Sequence, residues 1–225
     1  ATATVAPATA EHETNPGNPP TAHEIALLTD NVYATVSYSD VAPRIQWLSI
    51  VHDYLQNHPQ ATNEELVNEI TTRMHVRDAA QVARIPGFIQ TNRDAIARIP
   101  QETLLTLTDL AQNDEISEMS WGNSHENPVS ALTELGTRVI ALNPQARDTI
   151  ATALNQFVTD PNQSPEALQI LLQQALDRAI TPEQLAAYVT FLDLARTQYT
   201  AASRAGVAQL PNDWLRQAPQ GQAQP

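Results

Sequence analysis

At Asn127-Pro128, Asn143-Pro144, Ser164-Pro165 and Thr181-Pro182 a small polar residue is followed at once by proline just ahead of a run with helical apolar spacing. Proline at the first position of a helix gives up no hydrogen bond, because that N–H has no partner inside the helix, and its ring already holds the required φ. A side-chain oxygen just before it can take one of the orphan N–H groups of the first turn. Each pair therefore predicts a helix start. With Pro59 and Pro100, also at predicted starts or breaks, these account for six of 16 prolines. Thr21 with Glu24 and Thr62 with Glu65 have the spacing of capping boxes, in which hydroxyl and carboxylate satisfy each other's backbone N–H.

Apolar spacing between these signals has the period of helices. Val41, Ile45, Leu48, Val51 and Leu55 make one stripe, and Leu66, Ile70 and Met74 another. Leu104, Leu107 and Leu110 follow, then Leu132, Leu135, Val139 and Leu142, then Ile150, Leu154 and Phe157. Leu168, Leu171, Leu172, Ala175 and Leu176 form a broad face. Leu185, Tyr188, Leu192 and Ala195 suit the longest helix, running as far as Ala205. Strand-like alternation occurs only at 33–39, too short to support a sheet. The expected fold is all-α, a compact multi-helix bundle or orthogonal array of about nine to ten helices. Ala-Arg-Ile-Pro occurs at both 83–86 and 97–100, but no period is sustained over three units, so no solenoid is read.

The expected domain runs from 21 to 216. Residues 1–20 are rich in Ala, Thr and Pro and read as an arm or linker, and 217–225 as a flexible tail. The first ten residues lack the basic and apolar regions of an intact signal peptide.

Composition excludes several kinds of chemistry. The chain has no cysteine, so it has no disulfide, thiolate metal site or cysteine nucleophile. Its net charge is −13, which repels a phosphate backbone, so no nucleic-acid partner is expected. No apolar run approaches the length of a membrane span, so no membrane insertion is expected. No cofactor is expected either: the six glycines are scattered, with no phosphate-cradling loop.

Lysine is absent. The twelve basic residues other than histidine are all arginine, in a chain that would ordinarily carry on the order of ten lysines. Lysine is the routine acceptor of acetyl and ubiquitin groups. A chain without it offers those enzymes no side-chain amine. That points to a protein–protein interaction or effector domain acting in a foreign eukaryotic cell, secreted or translocated into it, with partners in the host ubiquitin system. Its sharpest form is a scaffolding ubiquitin ligase, which without cysteine carries no thioester. The alternative is a structural subunit of a capsid or scaffold. A third reading is an enzyme with its site in the loop 117–127, so enzymatic activity stays open.

That loop holds the densest group of polar and aromatic side chains. Trp121, His125 and Glu126 are its interaction candidates, with Trp121 as the anchor. The bland reading is a polar connection pinned to the core by Trp121. Arg73, Arg77 and Arg84 are the second candidates: residues 73–98 carry five arginines against two aspartates, a patch that could dock an acidic surface. If one helix ran through them, Arg77 would follow Arg73 by one turn and Arg84 would lie two turns further. The competing reading is pairing with the chain's own carboxylates. No two of the six histidines stand four apart, so no metal site is expected and surface or capping roles are assigned to them.

Overall fold

The computed structural model describes residues 17–112 and 128–196. Among them are nine α-helices and two short 3-10 turns, and no strand. The helices are α1 (Ala22–Val36), α2 (Val41–Asn57), α3 (Asn63–Arg73), α4 (Ala79–Ala97), α5 (Gln101–Gln112), α6 (Pro128–Leu142), α7 (Arg147–Thr159), α8 (Pro165–Leu176) and α9 (Pro182–Arg196). The all-α reading holds.

The start signals work with differing completeness. Thr21 and Glu24 form a full capping box. Thr62 accepts from the Glu65 N–H, one half of the expected box. Ser164 accepts from the Ala167 N–H, and Pro165 follows as the first helical residue. Thr181 exceeds expectation: its hydroxyl accepts from the Gln184 N–H while the Gln184 side chain accepts from the Thr181 N–H, at 3.1 and 3.2 Å. Asn143 does not cap with its side chain. Its amide instead donates to the Ala175 carbonyl and ties the start of α7 to the end of α8.

Helix α9 is the centre of the packing. It lies against α1, α5 and α8 and also touches α6 and α7. Leu185, Ala187, Val189, Phe191, Leu192, Leu194 and Ala195 are all buried, so the helix is covered on more than one side. The rest of the bundle is built on α2, which packs on α1, α3, α4 and α5. Its stripe of Val41, Ile45, Leu48, Val51 and Leu55 is buried as the spacing predicts. Trp47 is completely buried, its ring edge-on to Phe88 at 5.7 Å and to Tyr38 at 6.2 Å.

Two expectations are corrected, at Met74 and Leu171. The alternation at 33–39, read as too short for a sheet, covers the last turn of α1 and its exit, with Ser37 in the left-handed region (φ 60°) ending the helix and its N–H on the Tyr33 carbonyl. Met74 lies past the end of α3 and is only partly buried. Leu171 lies off the inward face of α8, formed by Pro165, Leu168, Leu172 and Leu176 with Ala175 beside it, and is 38% exposed. The longest described helix is α4, at 19 residues, with Pro86 inside it. Proline there withholds the N–H that would bond to the Val82 carbonyl. The side chain of Leu132, any continuation of α9 past Arg196 and the expected domain end at 216 lie outside the described residues.

Asp177 closes α8 at φ 51° and ψ −121°, a conformation that only glycine adopts freely. Such a residue stores roughly 1–3 kcal/mol. Asp177→Gly is expected to raise stability by about 1 kcal/mol, read as a higher midpoint in urea with an unchanged slope. A lower midpoint would show that the Asp side chain compensates the strain.

Candidate functional site

The residues singled out in the sequence divide in two. Trp121, His125 and Glu126 lie outside the described residues. Arg73, Arg77 and Arg84 are not on one helix. Helix α3 ends at Arg73, His75 turns the chain at φ 53°, and α4 starts at Ala79. The Asp78 carboxylate caps α4 by accepting from the Gln81 N–H, which is why the helical phase cannot carry through. Arg73 pairs with Glu69 at 3.5 Å, one turn away on the surface. Arg84 reaches back to α1 and donates to the Thr35 carbonyl at 3.0 Å. Arg93 donates to the Asn63 side chain at 2.7 Å. Arg73, Arg84 and Arg93 thus make separate contacts, and Arg73 makes the acidic pairing that was the competing reading.

Charges that do converge come from distant parts of the chain. On α9, Asp193 is buried, and both its oxygens are engaged. His23 on α1 donates from Nδ1 to Oδ2 at 2.7 Å, and Arg196 donates from Nε to Oδ1 at 3.0 Å. Arg196 also donates to the Gln163 carbonyl at 2.7 Å and reaches those of Phe157 and Asp160, with its guanidinium over the Phe157 ring at 3.9 Å. One turn before Asp193, the buried Thr190 hydroxyl donates to the Ala186 carbonyl at 2.7 Å and lies 3.2 Å from that of Ala22. Together these groups clasp α1, α9 and the turn between α7 and α8.

Asp30 and Arg44 extend the clasp along α1. Burial pushes the Asp30 carboxyl above its ordinary value of 3.8, and the Asp193 charge adds to this, while Arg44 and His23 oppose it. Burial also lowers Arg44, which donates to the carbonyls of Tyr38 (2.7 Å) and Ser39 (2.9 Å) and lies over the Tyr33 ring. His52 departs from the expected surface role: it is 2% exposed, with Nδ1 3.1 Å from the Asp53 carboxylate. Among the described residues no group of histidines and carboxylates could hold a metal ion, and no helix is long and apolar enough to cross a membrane.

Two open grooves mark the surface. One, of about 290 Å³, lies between α2 and α5 and is lined by Ala42, Pro43, Gln46, Ser49, Thr108, Ala111 and Gln112. The other, of about 250 Å³, lies between α2 and α4 and is lined by Leu55, Gln56, Pro59, Arg93, Asp94 and Ala97. Neither gathers the groups of the clasp.

The outer side of α8 is different in kind. Its inward residues are Leu168, Leu172 and Leu176. Ile170 lies two positions from both Leu168 and Leu172, about 200° around the helix from each. It is 63% exposed, and Leu171 beside it 38%. Ala167 and Gln174 are exposed on the same side, so the face is small, aliphatic and uncharged. Glu166 stands at its first turn, its carboxylate accepting from Ser164 at 2.9 Å. Asp177 and Arg178 stand exposed at its end. The sequence reading missed Ile170 because the run 168–176 is so rich in leucine that it reads as one broad face. The wheel position of Ile170 was the available signal.

No family model, curated protein or solved structure matches this chain.

Two outcomes test the clasp. Arg196→Lys removes the planar fork that serves a carboxylate and several carbonyls together, and should cost about 2 kcal/mol in a urea titration, against under about 0.5 kcal/mol for Arg73→Lys. Equal effects would mean that the fork geometry contributes nothing. Asp30 gives a pH dependence. Its folded value is raised, so its contribution is fully favourable below 3.8 and is lost as pH rises through the raised value. Asp30→Asn should melt above the parent at pH 7, with the gap closing below about pH 4. A variant that melts lower at pH 7 would assign Asp30 a net favourable pairing with Arg44.

Proposed function

We propose that this chain is a protein–protein interaction module whose docking face is the outer side of α8. The observation that carries this reading is the adjacent pair Ile170 and Leu171, 63% and 38% exposed on a helix whose other leucines are buried. Anchors of interfaces are large side chains that lose their water on binding, ringed by polar groups. With the exposed Ala167, Ile170 and Leu171 stand at i, i+3 and i+4, the spacing by which a helix is held in a partner's groove.

The absence of lysine supports the form of this reading in which the module works inside a foreign eukaryotic cell as a secreted or translocated effector. There, a chain without side-chain amines escapes lysine-directed ubiquitin attachment. A ligase of this kind would hold a charged conjugating enzyme near a target, with no covalent step of its own. Incubation with ubiquitin, its activating enzyme and a panel of conjugating enzymes tests it. The expected outcome is chain formation that Ile170→Asp abolishes. No chains across the panel would remove the ligase form.

The same face would also serve self-association, the structural-subunit reading. Size-exclusion chromatography with light scattering separates the two. A monomer at high concentration is expected. A concentration-dependent dimer that Ile170→Asp returns to monomer would move the face to contacts between copies.

A further inference from the structure

We infer that the partner of the α8 face is an amphipathic helix whose aliphatic side is edged by lysine or arginine; this rests on the docking reading above. The argument is charge complementarity. The centre of the face, Ala167, Ile170, Leu171 and Gln174, is uncharged. Helices α7 and α8 form an antiparallel hairpin in which Asn143, just before α7, bonds to Ala175 near the end of α8. Carboxylates therefore fall at both ends of the hairpin. Asp160 and Glu166 lie at the turn, and Asp148 and Asp177 at the open end. Residues 147–178 hold these four carboxylates against two arginines, and Arg147 lies 3.9 Å from Asp148. The whole chain adds a field of net charge −13. Both arginines stand at the open end, where they balance Asp148 and Asp177, whereas residues 159–166 at the turn hold Asp160 and Glu166 and no arginine. An approaching cationic helix is steered by the overall field and meets uncompensated carboxylates at the turn end, where an acidic helix is repelled.

The ligand class is therefore a helix with Leu, Ile or Ala on one side and cations along both edges. An anionic lipid surface is disfavoured by the same carboxylates. The test uses the full chain and two designed helical peptides with identical Leu/Ala faces, one edged with lysines and one with glutamates, followed by fluorescence anisotropy. The lysine peptide should bind about tenfold more tightly than its twin at low salt, and the difference should shrink as salt rises. Ile170→Asp should abolish binding of both. The combined Asp160→Asn and Glu166→Gln variant should keep binding but lose most of the discrimination.

Outcomes that overturn the proposal are distinct from those that overturn the docking reading. If both peptides bind equally and Ile170→Asp still abolishes binding, the cationic partner is wrong and the docking face stands. If neither binds, or Ile170→Asp changes nothing, the docking face itself falls. Co-sedimentation with phosphatidylcholine vesicles that Ile170→Asp abolishes would make the face a membrane contact and overturn both.

Discussion

Arg84 and Arg196 carry their guanidinium groups to the carbonyl ends of helices to which they do not belong. Arg84 reaches from α4 to Thr35 at the end of α1, and Arg196 from α9 to Phe157, Asp160 and Gln163 at and beyond the end of α7. The last turns of α1 and α7 contain no basic residue of their own. The final carbonyls of a helix lack internal partners and carry the negative end of its dipole, so a cation arriving from outside satisfies both needs. Arg44 does the same for the exit from α1, at Tyr38 and Ser39. The order of the helices depends on this device, because each contact joins a helix end to an element distant in sequence or across a turn. α9 is the clearest case. Its own arginine closes the α7 end while its aspartate takes the histidine of α1.

This bears on the missing lysine. A lysine ammonium is a point charge and cannot spread donors over three carbonyls and a carboxylate as Arg196 does. At such sites arginine is required by geometry. The surface is another matter. Arg73 pairs one turn away with Glu69 while 55% exposed, a contact lysine makes equally well. Arg77 is exposed in a turn between helices. The packing gives no reason for arginine rather than lysine at either position. The fold thus explains part of the arginine and none of the lysine deficit on its surface.

How much was legible in the sequence follows from the range of each interaction. Helix starts rest on residues within three positions of one another, so Thr21, Ser164 and Thr181 were readable. The repeated Ala-Arg-Ile-Pro shows the limit. At 97–100 it ends α4 and precedes α5, while at 83–86 the same four residues lie inside α4, with Ile85 buried and Arg84 bonded to α1. Local chemistry is identical, and tertiary contact decides between the outcomes. The clasp was not readable at all, because His23 and Asp193 are 170 positions apart and neither belongs to a motif. Arg73 and Arg77 failed for the opposite reason. They look like helical neighbours, but α3 ends at Arg73 and His75 turns the chain between them, in a run without proline or glycine to mark the break.

The α8 face is where these levels disagree. Every local signal in α8 serves the bundle: a serine cap, a proline first residue, and leucines at 168, 172 and 176 facing inward. Ile170 serves none of it. Its branched side chain is a slightly poorer helix former than glutamine or glutamate, and it leaves much of its apolar surface in water. Single exposed aliphatic residues are common on any protein surface and require no explanation. Two adjacent ones, on a helix with polar neighbours and charged ends, are harder to assign to the fold, since neither belongs to the inward stripe of Leu168, Leu172 and Leu176. The buried side of α8 accounts for its attachment to α7 and α9. On the docking proposal its outer side is covered by a partner surface, and Asp160 and Glu166 at the turn, with no arginine in residues 159–166, favour a cationic one.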